Sequence, residues 1–244
     1  MMNAEYGWRA NIGLISPASV PNMEHDFHRY VPDGVGVATT RVRLGACNLE
    51  TLMAMSKQVA VASEVYADKP PDVITFGCTS GSFVGGVGFD KQLIDQIESV
   101  AKCKALTTST SLMDAIRALG VHKLAVVTPY IDEVNEVEKK FLEDQGIVVT
   151  SIAGLGLGLP KQVPGIAELA PSRMFDFVKK QDLRPADAVF ASCTGLNCTD
   201  IIEYVEKDFG IPCLTSNQVT IWGALRAAGV TEAIPGLGTL LREH

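Results

Sequence analysis

The sequence lacks an excess of positive charge: its 244 residues carry 21 Lys and Arg against 28 Asp and Glu, which gives a net charge of −7. Nucleic-acid binding rests on clustered Lys and Arg, so this balance argues against a nucleic-acid partner. The sequence also lacks any apolar run of about 18 residues, the length that a membrane-spanning helix needs. Residues 1–10 contain no apolar segment of signal-peptide length. We therefore expect a cytoplasmic protein with no membrane partner.

Motifs for the common cofactors and metals are also missing. No GxxxxGK[ST] segment is present for nucleotide phosphates. The glycine-rich segment 154–158 reads G-x-G-x-G and runs into Pro160, whereas the dinucleotide-binding fingerprint opens a helix at that point. Cys193 and Cys198 are separated by four residues with no histidine nearby, which is a poor spacing for zinc. We therefore predict no cofactor and no metal.

Six cysteines are present, and none of them forms a CxxC pair. Disulfides rarely persist in a reducing compartment, so all six are expected to be thiols. A cysteine at a strand end is more often a buried packing residue than a nucleophile. We keep that interpretation for Cys47, Cys103, Cys198 and Cys213.

Apolar runs of strand length alternate with amphipathic stretches of helix length along the chain. The strands show little polar alternation, which is typical of parallel strands buried on both faces. The predicted strands are Asn11–Ser16, Val35–Val42, Asp72–Gly77, Ala105–Thr108, Lys123–Thr128, Ile147–Ile152, Ala186–Ser192 and Pro212–Thr215. The predicted helices are Leu49–Ala67, Phe89–Ala101, Ser111–Leu119, Ile131–Gln145, Ser172–Gln181, Thr199–Phe209 and Val219–Ala227. This alternation predicts an α/β fold, with His25 and His28 facing solvent in the polar stretch 23–30.

The two halves of the sequence resemble each other. PPDVITFGCT at 70–79 aligns without gaps with PADAVFASCT at 185–194, and the Pro, Asp, Cys and Thr match. Two further matches follow in the same order: LISP at 14–17 with VVTP at 126–129, and AIRALGV at 115–121 with ALRAAGV at 224–230. A duplicated α/β unit predicts two halves related by a pseudo-twofold axis, with equivalent strand ends facing each other. We assign residues 1–115 and 217–244 to the first half and 116–216 to the second.

Two cysteines, Cys78 and Cys193, occupy equivalent positions of this repeat, each between a predicted strand and a predicted helix. The N-terminal end of a helix lowers the pKa of a nearby thiol, and no Lys, Arg or His lies within a few residues of either cysteine. The adjoining loops offer hydroxyl, amide and backbone donors, which suit a carboxylate that gains charge in the transition state. The loop residues that carry these donors are Thr79, Ser80, Ser82, Thr194, Gly195 and Asn197.

Several motifs identify a family resemblance that covers nearly the whole chain. CTSGS at 78–82 and SCTGLN at 192–197 resemble the aspartate/glutamate racemase superfamily and, within it, the group of maleate isomerases and arylmalonate decarboxylases. TPYIDEVNE at 128–136, RALGV at 117–121 and GLISP at 13–17 support the same resemblance. It implies two Rossmann-like parallel-sheet halves related by a pseudo-twofold axis, with the active site in the cleft between them.

The resemblance also implies roles for individual residues. Cys78 and Cys193 match the two cysteines that racemases and maleate isomerases place on opposite faces of the substrate. The carboxylate-binding dioxyanion hole of the decarboxylases is matched by Thr79, Ser80, Tyr130 and the backbone at Thr194. An alternative interpretation of Tyr130 is that its ring packs in the core and does not bind substrate. Pro17 and the residues that follow it resemble the loop that closes over the substrate.

One departure separates the chain from each of the two subfamilies. Arylmalonate decarboxylases have glycine where Cys78 stands, whereas maleate isomerases have an asparagine where this chain has Val20. The chain therefore combines a cysteine pair of the isomerase type with a carboxylate cradle of the decarboxylase type. The sequence suggests an apolar pocket lined by Leu44, Leu157 and Leu159. Leucine is equally common in the hydrophobic core of any protein, so core packing is the alternative.

We expect a cofactor-independent isomerase or racemase that acts on a small carboxylate or dicarboxylate. As a racemase, one thiolate removes the α-proton and the opposite thiol returns a proton to the other face. As a cis–trans isomerase, one thiolate adds to the alkene carbon, the C–C bond rotates and the thiolate leaves. Two alternatives stay open, a decarboxylase that uses Cys193 as proton donor and a non-catalytic carboxylate-binding protein. The resemblance also implies a homo-oligomer.

Overall fold

A computed structural model of the chain describes residues 6–158 and 165–244. Within these ranges the strands are β1 (Ala10–Pro17), β2 (Val35–Val42), β3 (Val73–Phe76), β4 (Lys104–Thr107), β5 (Lys123–Thr128), β6 (Val148–Gly154), β7 (Ala188–Ala191) and β8 (Cys213–Thr215). The helices are α1 (Asn22–Tyr30), α2 (Leu49–Ser56), α3 (Val59–Glu64), α4 (Thr79–Phe83), α5 (Phe89–Ala101), α6 (Thr108–Ala118), α7 (Asp132–Asp144), α8 (Pro171–Lys179), α9 (Ile202–Phe209), α10 (Ser216–Ala227) and α11 (Gly238–Glu243). Short 3-10 turns lie at Ile166–Glu168 and Thr199–Ile201.

The strands form two parallel sheets with the same internal order. The first sheet runs β2-β1-β3-β4 and the second runs β6-β5-β7-β8. Every residue of the central strands β3 and β7 is buried, as their unbroken apolar sequences predict. The predicted α/β fold with two parallel-sheet halves is therefore confirmed, and the shared strand order is the structural counterpart of the sequence repeat.

Helices α6 and α10 pack against each other and join the two halves. Each begins directly after the last strand of its sheet and is capped by a threonine, Thr107 or Thr215, whose hydroxyl accepts a backbone N–H of the first turn. Thr220 on α10 donates to the Thr108 hydroxyl on α6 at 3.0 Å. A Cβ at Gly223 would lie 2.4 Å from Ser111 Oγ, so only glycine permits this close approach.

The C-terminal helices contact both sheets. Helix α10 lies against β3 and β4 of the first sheet and also against β8 of the second, whereas α11 contacts α9 and β8. The division into 1–115 with 217–244 and 116–216 stays a prediction. No helix in the described ranges is long and apolar enough to cross a membrane.

Three helical segments differ from the sequence prediction. The predicted helix over 49–67 is two helices, because the chain turns after Ser56 before α3 begins. The polar stretch 23–30 is helical in α1, where Met23 and Phe27 are buried one turn apart while His25 and His28 face solvent as expected. Helix α4 lies in a segment predicted as a loop, since its five residues are too few to show a helical period.

Candidate active site

A cavity of about 260 Å³ lies at the carboxyl ends of the central strands of both sheets. Pro17 ends β1 and Cys78 follows β3 in the first sheet, while Tyr130 follows β5 and Cys193 follows β7 in the second. Parallel α/β sheets bind ligands at this edge, as the sequence repeat predicts. The described lining residues are Pro17, Ser19, Val20, Leu44, Gly45, Ala46, Cys47, Cys78, Ser80, Tyr130, Gly158, Gly165, Ile166, Ala167, Glu168, Cys193 and Thr194.

Cys78 immediately precedes helix α4 and caps its first turn. Its side chain is buried, and its sulfur accepts the backbone N–H of Gly81 at 3.3 Å. The Ser80 hydroxyl lies 4.0 Å from the Cys78 sulfur and 3.9 Å from the sulfur of Cys47. Ser80 therefore stands between two thiols at one end of the cavity.

Cys193 has an unusual backbone conformation. Its φ of 150° lies in the region that favours glycine, and such a conformation costs about 1–3 kcal/mol unless neighbouring groups hold it. The holding contacts are present: the Cys193 N–H donates to the Ser216 hydroxyl at 2.9 Å, and the Cys193 sulfur accepts the Gly195 N–H at 3.3 Å. Backbone strain of this kind is concentrated at functional sites.

Burial controls the acidity of both thiols. It raises the pKa of Cys78 to about 12, although the Gly81 N–H opposes the rise. It raises the pKa of Cys193 to about 11, against hydrogen bonds donated by the Tyr130 hydroxyl and the Gly195 N–H. The sequence predicts pKa lowering by a helix N-terminus, and this prediction is wrong because desolvation outweighs the donors. Both thiols are protonated at neutral pH in this structure.

Several hydrogen-bond donors lie in or beside the cavity wall. Among the described residues, no acceptor is present for the backbone N–H groups of Thr79, Ser80 and Thr194. The hydroxyls of Ser80 and Tyr130 add two donors on the cavity wall. Such preorganised dipoles stabilise a charge that develops on a carboxylate.

The lining residues that the structure describes carry no positive charge. Of the described lining residues only Glu168 carries a charged side chain. No group of three His, Cys, Asp or Glu side chains that could hold a metal occurs in 6–158 and 165–244. A carboxylate at this part of the site would meet hydrogen-bond donors and no cation.

The sequence-predicted site residues come together, with one exception. Pro17, Cys78, Ser80, Tyr130, Cys193 and Thr194 all line the cavity. Thr79 is not among the lining residues, and its buried hydroxyl donates to Ser216 at 2.7 Å. Of the three leucines, Leu44 lines the cavity, Leu157 packs on the core, and Leu159 lies outside the described residues.

Two residues at the site escaped sequence reasoning. Ser216 is fully buried, and its hydroxyl links Thr79 of one half to the backbone of Cys193 of the other. Its position directly after a predicted strand, at the same sheet edge as the cysteines, was an available signal. Cys47, interpreted as a packing residue, lines the cavity beside the cysteine pair. It follows β2 in the chain, so the sequence also allowed its place at the same sheet edge to be predicted.

Comparison with known proteins gives one family. The family model described as arylmalonate decarboxylase matches residues 12–241. The chain is 31% identical to the arylmalonate decarboxylase of Bordetella bronchiseptica over 95% of this chain and 96% of that protein. It is 28% identical to the maleate isomerase of Nocardia farcinica over 95% of each. The family resemblance of the motifs is thereby confirmed.

A solved structure extends the likeness to the fold. It is a liganded arylmalonate decarboxylase variant in which one glycine is replaced by cysteine and one cysteine by serine. The two structures agree with a TM-score of 0.87 and 30% identity over 96% of this chain and 99% of that one. The prediction of an enzyme of the isomerase or decarboxylase kind is confirmed. With a family model that spans almost its whole length, the chain belongs to the arylmalonate decarboxylase family.

Proposed function

We propose that the chain is a cofactor-independent isomerase that acts on a small carboxylate through Cys78 and Cys193. The observation that carries the proposal is that two buried thiols, one from each half, line a single cavity. A decarboxylase needs one protonating thiol, and the resemblance implies glycine in place of Cys78 in such enzymes. A second thiol supplies chemistry on a second face of the substrate.

The donors described above support carboxylate binding. The N–H groups of Thr79, Ser80 and Thr194 and the hydroxyl of Tyr130 hold the carboxylate and the extra charge of its enediolate. One cysteine first loses its proton to solvent and the other stays a thiol. In the cis–trans version, the thiolate adds to an alkene carbon, the C–C bond rotates, and the carbon–sulfur bond then breaks to return the thiolate. In the proton-transfer version, the α-proton goes to the thiolate and the thiol delivers its own proton to the opposite face.

The wall around the remaining part of the cavity favours an apolar substituent. Val20, Leu44 and Ile166 line it, and no described lining residue is cationic. A Cβ at Gly195 would lie 2.7 Å from Val20 Cγ1, so Val20 packs directly over the loop that carries Cys193. We therefore propose a substrate with one carboxylate and a small apolar group, in preference to a dianion such as maleate.

A substrate screen in D2O tests the proposed function. We expect cis–trans isomerisation or α-deuterium incorporation with small carboxylates that carry an apolar substituent, measured by proton NMR. Maleate, amino acids and substituted malonates complete the panel. Release of CO2 from malonates without any isomerisation would favour the decarboxylase, and ligand-induced stabilisation without turnover would favour a binding protein.

Replacing Val20 by asparagine is expected to raise the rate on maleate by about tenfold, because an amide hydrogen bond to a charged group contributes about 1.5–3 kcal/mol. The resemblance places asparagine at this position in maleate isomerases. Initial rates of fumarate formation measure the effect. Val20→Ala is the matched control, since it opens the same space without a donor. An equal gain in both variants would show that space, and not hydrogen bonding, excludes the second carboxylate.

A further inference from the structure

The inner face of helix α7 carries a carboxyl group with no hydrogen-bond partner. Glu138 is 1% exposed, and both of its carboxyl oxygens lack a partner in the part of the chain that the structure describes. One turn earlier on the same face, Asn135 accepts a hydrogen bond from the Thr128 hydroxyl at 2.6 Å. The fold thus satisfies one polar side chain of this face and leaves the next one unsatisfied.

Stability does not explain the glutamate. A buried carboxyl without a cation is costly, and an apolar side chain of similar size would pack there at lower cost. Burial raises the pKa of Glu138 to about 8, and the nearby Ser192 hydroxyl, which lies beyond hydrogen-bond geometry, is the one influence that lowers it. Glu138 is therefore neutral at pH 7 and becomes negative under mildly alkaline conditions.

Ser192 connects Glu138 to the site. It is fully buried, its hydroxyl has no hydrogen-bond partner among the described residues, and it immediately precedes Cys193 in the chain. The ionised Glu138 raises the pKa of Cys193, of Tyr130 and of Cys47. Helix α4 and strand β6, which contact α7, carry no ionisable side chain. No cation among the described residues shifts the pKa of Glu138, so its charge acts on the site groups just named.

We propose that Glu138 is a positioning residue for Cys193, which acts through Ser192 and sets the pH range over which the Cys193 thiol gives up its proton. The inference concerns the same site as the proposed function and rests on it for its catalytic meaning. Above about pH 8 the carboxylate opposes formation of a second negative charge at Cys193. The reactivity of an isolated thiol rises steadily with pH, whereas the negative charge of Glu138 lowers the reactivity of Cys193 in the alkaline range.

The test is the pH profile of Cys193 alkylation by iodoacetamide, followed by mass spectrometry of the Cys193 peptide. In Glu138→Gln we expect alkylation at pH 9 to be about tenfold faster than in the unchanged protein, corresponding to about one pKa unit. At pH 6.5 the two proteins should react at rates within about twofold, because Glu138 is then neutral in both. Identical profiles at both pH values would overturn the inference. No substrate is required, so this result is independent of the proposed function.

Glu136→Gln is the matched control, since Glu136 lies on the same helix but is exposed. Its alkylation profile should equal that of the unchanged protein.

The melting temperature gives a second measurement. A carboxyl whose folded pKa exceeds its unfolded pKa destabilises the fold as the pH rises from about 4.5 to about 8. This decline should be smaller in Glu138→Gln, or in Glu138→Met if the amide does not fold, and an unchanged decline would also count against the inference.

Discussion

Replacing Cys193 by alanine is expected to lower kcat/KM by about a thousandfold or more, because the variant loses a group that transfers a proton or forms a bond to the substrate. The loss should appear in kcat, whereas the affinity for a carboxylate ligand should change little, since the donors that bind it belong to other residues. Initial rates with a substrate from the D2O screen measure the first effect, and ligand-induced thermal stabilisation measures the second.

Cys103→Ala is the matched control for this variant. Cys103 is half-buried and does not line the cavity, so its removal should leave kcat/KM within about twofold of the unchanged protein. Retention of more than a tenth of the activity in Cys193→Ala would contradict every enzymatic mechanism considered for this site. A loss of both activity and ligand binding would instead point to collapse of the loop that carries Cys193.

Replacing Cys78 by glycine is expected to abolish isomerisation, again by about a thousandfold or more. The second face of the substrate then has no thiol, so a carbanion or thioether formed on one side cannot be resolved on the other. A single-thiol site can still protonate one face. Chiral analysis of the recovered substrate and CO2 release from substituted malonates, measured side by side, follow the two activities separately.

The contrast between the two cysteine variants separates the candidate reactions. If Cys78→Gly retains full turnover, the two-thiol mechanism is wrong and a decarboxylase with Cys193 as proton donor is favoured. If both variants lose isomerisation, the pair acts as a unit, and the effects of the two substitutions should not add. The double variant should then be no slower than either single one.

The sheets were predictable because their signal is local. The strands β3 and β7 are short apolar runs followed by the same Cys-Thr pair, so a sequence repeat suffices to locate both and to predict their equivalence. Helix α1 was missed because its buried face consists mainly of Met23 and Phe27 within a polar stretch. Helix α4 is held by its Cys78 cap and by packing of Phe83 on Phe141, which no periodicity in five residues can reveal.

The site residues that follow strand ends could be predicted from the sequence. The properties that depend on burial in the folded protein could not. Cys78, Tyr130 and Cys193 each lie two residues beyond the end of a strand of the repeat. Glu138 stands in a charged stretch, DEVNEVEKK, and its burial arises only when α7 docks beside α4 and β6. The prediction of lowered thiol pKa values was wrong for the same reason. A sequence indicates a helix terminus, but the amount of water removed from a side chain depends on the complete fold.

The shared hydroxyl of Ser216 limits how far the two halves can move apart. Swinging the two halves apart would strip Thr79 and the Cys193 N–H of their partner, at a cost of about 1–3 kcal/mol for each buried group. We therefore expect the Ser216 hydroxyl to limit relative movement of the loop that carries Cys78 and the loop that carries Cys193.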